Sequence, residues 1–454
     1  MSRILFLLQK KASQISPPIV VFFSFFLVIL FGALLLTLPA CSETRESTSF
    51  LDALYTSASA TCVTGLVVFD TADHFSTLGE VIILMLIQIG GLGIITLMTF
   101  FMAIMGRKSG LKTMVLAQES LNTFDWQDSI RLIRGVVGVV FGVELTGAVL
   151  LSLAFVPQYG WKGLYFGVFH SISSFCNAGF DLLGSLKSLS DYNGNPLVIY
   201  TVAGLIMIGG LGFIVWWDVW NYPRVRKLQV HTKVVFMISI VLWVGGALFI
   251  YFIERQNVNT LGAMPSKEQV NAAIFLSVSA RTAGYATFNL VAMNDVTKVF
   301  LSLLMFIGAA SGSTGGGIKV NTLGVMIIAI LSVIRSQEQI IFQKRRISSS
   351  TAFKAFTIFS LSATWLFTAT LLISLINPEF RLINSLFEST SAFGTVGLSI
   401  GMSTSTDYGP MSKIIHILTM FIGRVGPMTF AITLTLGKRK NNDIIYPEGK
   451  IVVG

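Results

Sequence analysis

Residues 61–66 read Thr61-Cys62-Val63-Thr64-Gly65-Leu66, a small, hydroxyl-bearing turn that closes on glycine between two apolar stretches. Variants of it return as FCNAGF at 175–180, ARTAGY at 280–285 and FGTVGL at 393–398. Their glycines, Gly65, Gly179, Gly284 and Gly397, stand 114, 105 and 113 residues apart. The surroundings repeat with them. Ten residues before each glycine stand Tyr55, Phe169, Ile274 and Phe387. Six before stand Ser59, Ser173 and Ser391, with Val278 in the third copy, where Ser279 is displaced by one. An Ile-Gly pair begins downstream at 89, 208, 307 and 422, and two copies read IGGLG identically, at 89–93 and 208–212. Matched texture at a near-constant period marks an internal repeat, here in four copies.

The composition says where such a chain lives. Of 454 residues, 53% are hydrophobic and 12% charged, and the mean hydropathy is +0.75. A soluble chain carries about 25% charged residues, so this one belongs in a membrane. The segment 17–38 holds no charge over 22 residues, and a helix of that length runs ~33 Å, enough to cross a ~30 Å hydrocarbon core. It is too long for the apolar region of a signal peptide and no small-residue cleavage site follows it, so we read it as a retained first membrane helix.

The net charge of +10 is a topology signal and does not indicate nucleic-acid binding. The stretches 3–11, 107–134, 224–233, 335–354 and 438–450 hold 21 of the 32 cations. Lys and Arg accumulate in cytoplasmic loops, which predicts a multi-pass protein of a plasma membrane with both termini inside. Three cysteines and four scattered histidines offer neither metal-ligand spacing nor a catalytic triad; Cys62 and Cys176 read as small side chains behind the turn.

Each unit follows one order. A long apolar helix (roughly 17–38, 133–156, 231–254, 352–377) leads into a segment of about twelve residues (50–61, 161–175, 268–280, 381–393). The glycine motif and a second long helix follow (about 78–105, 197–220, 297–335, 410–436). Twelve helical residues reach ~18 Å, half-way across. The returning backbone is tolerated only where protein buries it or where it lines water. The fold class is therefore an all-α polytopic membrane protein of four pseudo-symmetric helix–pore-loop–helix repeats around a central pore, eight membrane helices plus four half-helices. The expected boundaries are 1–106, 107–222, 223–336 and 337–440, with a tail at 441–454.

A half-helix with a small-residue return can present backbone carbonyls in place of a cation's hydration shell, with the negative end of the helix dipole aimed at the centre. Glycine opens backbone conformations closed to other residues. The expected ion-binding positions are Val63, Thr64 and Gly65; Asn177, Ala178 and Gly179; Thr282, Ala283 and Gly284; and Thr395, Val396 and Gly397. Small residues at a helix contact would explain one such motif. They do not explain four, each behind a half-helix.

With these loops, one glycine in each, and with MFIGRVGPMTF at 420–430, the chain resembles the Ktr/Trk/HKT family of potassium transporters over nearly its whole length. The start of the first unit by residue 17 and the closing YPEGKIVVG are similar to the Ktr-type membrane subunit. The resemblance implies potassium as the transported ion and sodium as a coupling or activating ion, with no tightly bound cofactor. It also implies a homodimer with one pore per chain, a tail at the subunit interface, and a cytoplasmic nucleotide-binding ring of KtrA type as partner. The single glycine implies a shorter filter, less stringent against sodium, than the fuller motif of tetrameric potassium channels.

Two features stand apart. In the third unit's second helix, 309–317 (Ala309, Ala310, Ser311, Gly312, Ser313, Thr314, Gly315, Gly316, Gly317) contains only Ala, Ser, Thr and Gly, and each glycine costs a helix about 1 kcal/mol. It fails as a phosphate-binding loop because Gly317 is followed by Ile318; the resemblance implies an intramembrane gate. Arg424 lies in the matching helix of the fourth unit, where an arginine is costly and a functional candidate. At ~5 Å and an effective dielectric of ~20 it would repel a passing cation by on the order of 3 kcal/mol. A buried structural ion pair is the other role open to it. Arg281 is expected to turn outward to a half-helix carboxylate, Asp52 or Glu388, and Glu144 has no assigned role. Parallel fourfold repeats argue against a proton- or sodium-coupled secondary carrier, which usually shows inverted repeats; a multi-spanning enzyme or scaffold is the other alternative.

Overall fold

In the computed structural model, which describes residues 17–93 and 129–434, every glycine motif ends a short helix that starts at one face of the molecule and stops in its interior. The basic stretches 3–11 and 438–450, most of 107–134, the end of the first unit's second helix and the tail 441–454 lie outside the described residues. The first unit comprises α1 (Pro17–Leu36), the half-helix α2 (Phe50–Cys62) and α3 (Thr77–Leu92). The second has α4 (Ser129–Tyr159), α5 (Lys162–Phe175), α6 (Pro196–Leu211) and α7 (Phe213–Val225). The third has α8 (Val230–Glu254), α9 (Ser266–Ser279), α10 (Asp295–Phe306) and α11 (Val320–Ile334). A hairpin of β1 (Ile340–Phe342) and β2 (Arg345–Ile347) precedes the fourth, which has α12 (Ser349–Ile376), α13 (Leu382–Gly394), α14 (Pro410–Val425) and α15 (Pro427–Leu434). The hairpin is an addition to the expected helices.

Among the described residues, four helices are long and apolar enough to cross a membrane: α1, α4, α8 and α12, each the first of its unit. Their outward sides carry large exposed apolar residues such as Phe31, Leu153, Val241 and Phe367, which suits lipid and not water. Starts are set by side-chain caps: Ser49 on α2, Ser76 on α3, Asn195 with Pro196 behind it on α6, and Ser348 on α12. Units join cyclically. α3 packs on α5, α6 on α9, α10 on α13, and α14 returns to α2, so each second helix buries against the next unit's half-helix.

The second helices correct the sequence reading, which expects an interruption only in the third unit. α6 and α7 meet at 94°, and α14 and α15 at 102°. The hinges are Gly212 (φ 91°) and Gly426 (φ 96°), and Gly93 (φ 80°) ends α3 at the same place. Each lies four residues beyond the Ile of its Ile-Gly pair. In the third unit that position is Ser311, inside the expected loop, so this loop enlarges a break common to all four units.

Candidate functional site

The four return loops share one backbone pattern. Two residues before each glycine the chain enters the left-handed region, at Val63 (φ 59°), Asn177 (61°), Thr282 (77°) and Thr395 (50°). It returns there at Gly65 (89°), Gly179 (70°), Gly284 (80°) and Gly397 (95°). The middle residues, Thr64, Ala178, Ala283 and Val396, are fully buried. Their carbonyls are what the glycines accommodate. A Cβ on Gly65 would overlap Ala178 O; on Gly179, Ala283 O; on Gly284, Val396 O; and on Gly397, Thr64 O. The contacts run from unit one to two, three, four and back to one. Each glycine thus lets the neighbouring carbonyl approach closer than any side chain permits, and the loops close head to tail. Among the described residues none of these four carbonyls accepts a hydrogen bond, which leaves them free for a cation.

Serines of the half-helices hold the loops. Ser59 Oγ accepts from Gly65 N and Ser391 Oγ from Gly397 N, both at 3.0 Å. In the other two units the hydroxyl donates: Ser173 to Phe180 O at 2.8 Å and Ser279 to Tyr285 O at 2.6 Å. The displaced serine of the third copy therefore does equivalent work. Tyr285 ties these two loops together by donating to Ser173 Oγ (2.9 Å) and Phe180 O (3.0 Å). Asn177 sits with its amide oxygen on Thr282 Oγ1 (2.9 Å) and its nitrogen on Ser174 O (3.1 Å), the orientation that satisfies both ends.

The segment 309–317 lies directly against the inner ends of these loops. Gly316 N donates to Thr395 Oγ1 (2.9 Å), Thr314 Oγ1 to Phe175 O (3.2 Å), and Thr314 N to Gly209 O (3.3 Å). A Cβ on Gly315 would overlap the Thr282 hydroxyl. Arg424 donates to Thr314 O and Gly90 O, with Gly91 O at 3.3 Å. It occupies the place of Gly91 and Gly210 in the first two copies and of Ala309 in the third. Lys319 Nζ donates to Gly315 O at 2.5 Å, so a second cation, missed in the sequence, also grips the segment. Beyond it opens a cavity of about 470 Å³ whose lining includes Arg424, Lys319, Lys354 and Ser313.

The Ile-Gly pair is explained here too. Cβ atoms on Gly90, Gly209 and Gly423 would overlap Thr61 O, Phe175 O and Phe393 O, at the inner ends of three half-helices. In the third unit Gly308 meets Gly316 O instead.

One side chain departs from the sequence reading, and one that it leaves without a role gains a partner. Arg281 does not turn outward. Its Nη2 donates to Gly308 O (2.6 Å), while Asp52 pairs with Lys413 (2.6 Å) and Glu388 accepts from Ser399 Oγ (2.6 Å) and Ile400 N (2.9 Å). Arg281 stands at the inner end of its half-helix and Asp52 near the outer end of another, ~15 Å of helix away in depth. Glu144, buried in α4, gains a partner in Gln88 of α3, which donates at 3.1 and 3.3 Å; Cys176 of the second loop lies beside them.

Residues 19–443 match the TrkH family, described as cation transport protein. The chain is 38% identical over 451 residues to the potassium/sodium uptake protein NtpJ of Enterococcus hirae, covering 98% of this chain and 99% of that one. It is also 38% identical over 449 residues to the Ktr system potassium uptake protein B of Bacillus subtilis, covering 98% of each. Its fold is similar to that of the potassium transporter TrkH from Vibrio parahaemolyticus, with a TM-score of 0.72 at 17% identity over 93% of this chain and 85% of that one. The chain belongs to the TrkH family of cation transport proteins.

Proposed function

We propose that the chain is the potassium-translocating membrane subunit of a Ktr-type uptake system. The observation that carries this reading is the head-to-tail closure of the four loops, with four buried carbonyls left without donors. A ring of carbonyls can replace the hydration shell of a potassium ion. The filter consists of Val63 to Gly65, Asn177 to Gly179, Thr282 to Gly284 and Thr395 to Gly397. One glycine per loop gives a short filter, and sodium joins potassium in the name of the Enterococcus relative. In this reading sodium is the coupling or activating ion.

The segment 309–317 is the gate. Its seat on Thr395 and its grip by Arg424 and Lys319 support a closed position just inside the filter. The basic stretches, by the positive-inside rule, put both termini in the cytoplasm, where a nucleotide-binding ring of KtrA type docks and shifts the gate through α11. The assembly is a homodimer with one pore in each chain.

Growth of a potassium-uptake-deficient strain on limiting potassium, with this chain and a ring partner expressed, tests the reading. Rescue that disappears on Gly65→Ser while the protein still reaches the membrane is the expected result. Equal growth of the two would remove the filter from the mechanism.

A further inference from the structure

The bend at Gly212 sends α7 off at 94° to α6. Because α6 is part of a membrane crossing, an axis at right angles to it runs in the plane of the bilayer. The sequence of α7, FIVWWDVWNYPRV, suits that setting. Val219, Trp220, Tyr222 and Val225 are exposed, Trp220 at 74%. Trp and Tyr gather at the membrane–water boundary, and helices lying there combine them with Arg and Lys. Arg224, Arg226 and Lys227 follow directly.

Where α7 ends, a groove of about 690 Å³ opens between its last turn, the start of α8 and the β1–β2 hairpin. Arg226, Lys227, Lys233 and Arg345 line it, and among the described residues no Asp or Glu does. Among the described residues none of the four cations forms an ion pair. Lys233 Nζ donates to a neutral amide, Gln343 Oε1, at 2.9 Å. Asp218 of α7 has one carboxylate oxygen taken by Gln229 N at 2.8 Å. Four converging positive charges at the depth of an interfacial helix call for an anion. A water-borne protein partner would leave Trp220 and its apolar neighbours in water. A lipid covers both features at once.

We propose that this groove binds the phosphate headgroup of an anionic phospholipid from the leaflet in which α7 lies. The proposal rests on the chain's crossing a membrane and not on the filter or gate assignments. The lipid's phosphate meets Arg226, Lys227, Lys233 and Arg345, while its acyl chains run beside Trp220 and Val219. An attached lipid also fixes the α7–α8 corner relative to the bilayer.

The full chain, without any ring partner, is extracted from vesicles of phosphatidylcholine with phosphatidylglycerol and examined by native mass spectrometry. Retained phosphatidylglycerol is expected, with an apparent affinity about fivefold lower for each cation replaced by glutamine. The quadruple variant R226Q/K227Q/K233Q/R345Q should retain none. If it fails to fold, the single variants Lys227→Gln and Lys233→Gln carry the comparison, and Lys227→Arg should retain the lipid. Brominated phosphatidylglycerol should quench a fluorescence component that Trp220→Phe removes. Unchanged retention in the folded quadruple variant overturns the proposal, as does displacement of the lipid by inorganic phosphate, which marks a free-anion site. Absence of Trp220 quenching also overturns it, because α7 is then covered by protein.

Discussion

The hydroxyl of Thr395, in the fourth return loop, accepts a hydrogen bond from the backbone nitrogen of Gly316 at 2.9 Å, across 79 residues of sequence. One contact thus joins a residue of the proposed filter to the middle of the proposed gate. Any displacement of 309–317 breaks it, or pulls on the loop that carries Val396 and Gly397. Thr395→Val keeps the shape and deletes the acceptor. A net hydrogen bond is worth about 1 kcal/mol, so the closed state should lose roughly fivefold in population. Potassium flux into proteoliposomes lacking the partner ring should rise by that factor. Unchanged flux would mean that the bond does not hold the segment.

That bond explains what the sequence could and could not disclose. The four glycines and the half-helices before them were legible because a repeated backbone conformation needs a repeated residue. The bends at Gly212 and Gly426 were not, because apolar character continues through both and masks the break, although the identical IGGLG runs marked the position. The path of Arg281 depended on depth: neighbouring loop residues meet backbone of the next helix, while candidate carboxylates such as Asp52 lie a half-helix away. The roles of Lys319 and Gln88 are not legible in the sequence for a related reason. Their partners, Gly315 O and Glu144, are defined by packing between helices and leave no trace in spacing.

The closure of the loops makes the glycines individually vulnerable. At Gly65 and Gly397 a side chain would meet the carbonyls of Ala178 and Thr64 and would have to adopt φ near +90°. The left-handed region alone costs a side-chain-bearing residue roughly 1–2 kcal/mol, and the overlap must push the neighbouring loop away. Gly65→Ser and Gly397→Ser should therefore weaken the preference for potassium over sodium by about tenfold or more. Rubidium uptake competed by each ion measures this. Unaltered affinity and preference in both variants would remove the loops from the selecting site.

Asp181 lies two residues beyond Gly179, in the connection between α5 and α6. Burial pushes its carboxyl up to about 7; a hydrogen bond from Leu183 N opposes the shift and the charge of Asp70 adds to it. Below that value the group is neutral, and above it a negative charge stands near the proposed ring. The apparent affinity for potassium should improve as pH rises through about 7, by about twofold for one charge at ~8 Å in a water-like medium. Asp181→Asn should flatten that pH profile at the weaker level. Uptake measured from pH 6 to 8 in both proteins decides it, and a profile unaffected by the substitution rules Asp181 out.

The gate prediction combines the two cations. Arg424 holds Thr314 O and Lys319 holds the next carbonyl, Gly315 O, so both brace the same short stretch from its inner side. Hydrogen bonds from charged donors are worth about 1.5–3 kcal/mol, so Arg424→Ala and Lys319→Met should each raise flux without the ring by roughly tenfold. Their combination should fall short of the product, since either loss already frees the stretch they share. Deleting 311–316 should raise flux further and make it independent of the ring. It should leave ion preference intact if Thr395 and the other filter loops keep the support of their serines, Ser391 among them. Proteoliposome flux with and without the partner is the measurement. A deletion variant that folds, retains the preference and yet stays closed on its own would show that something other than 309–317 blocks the path.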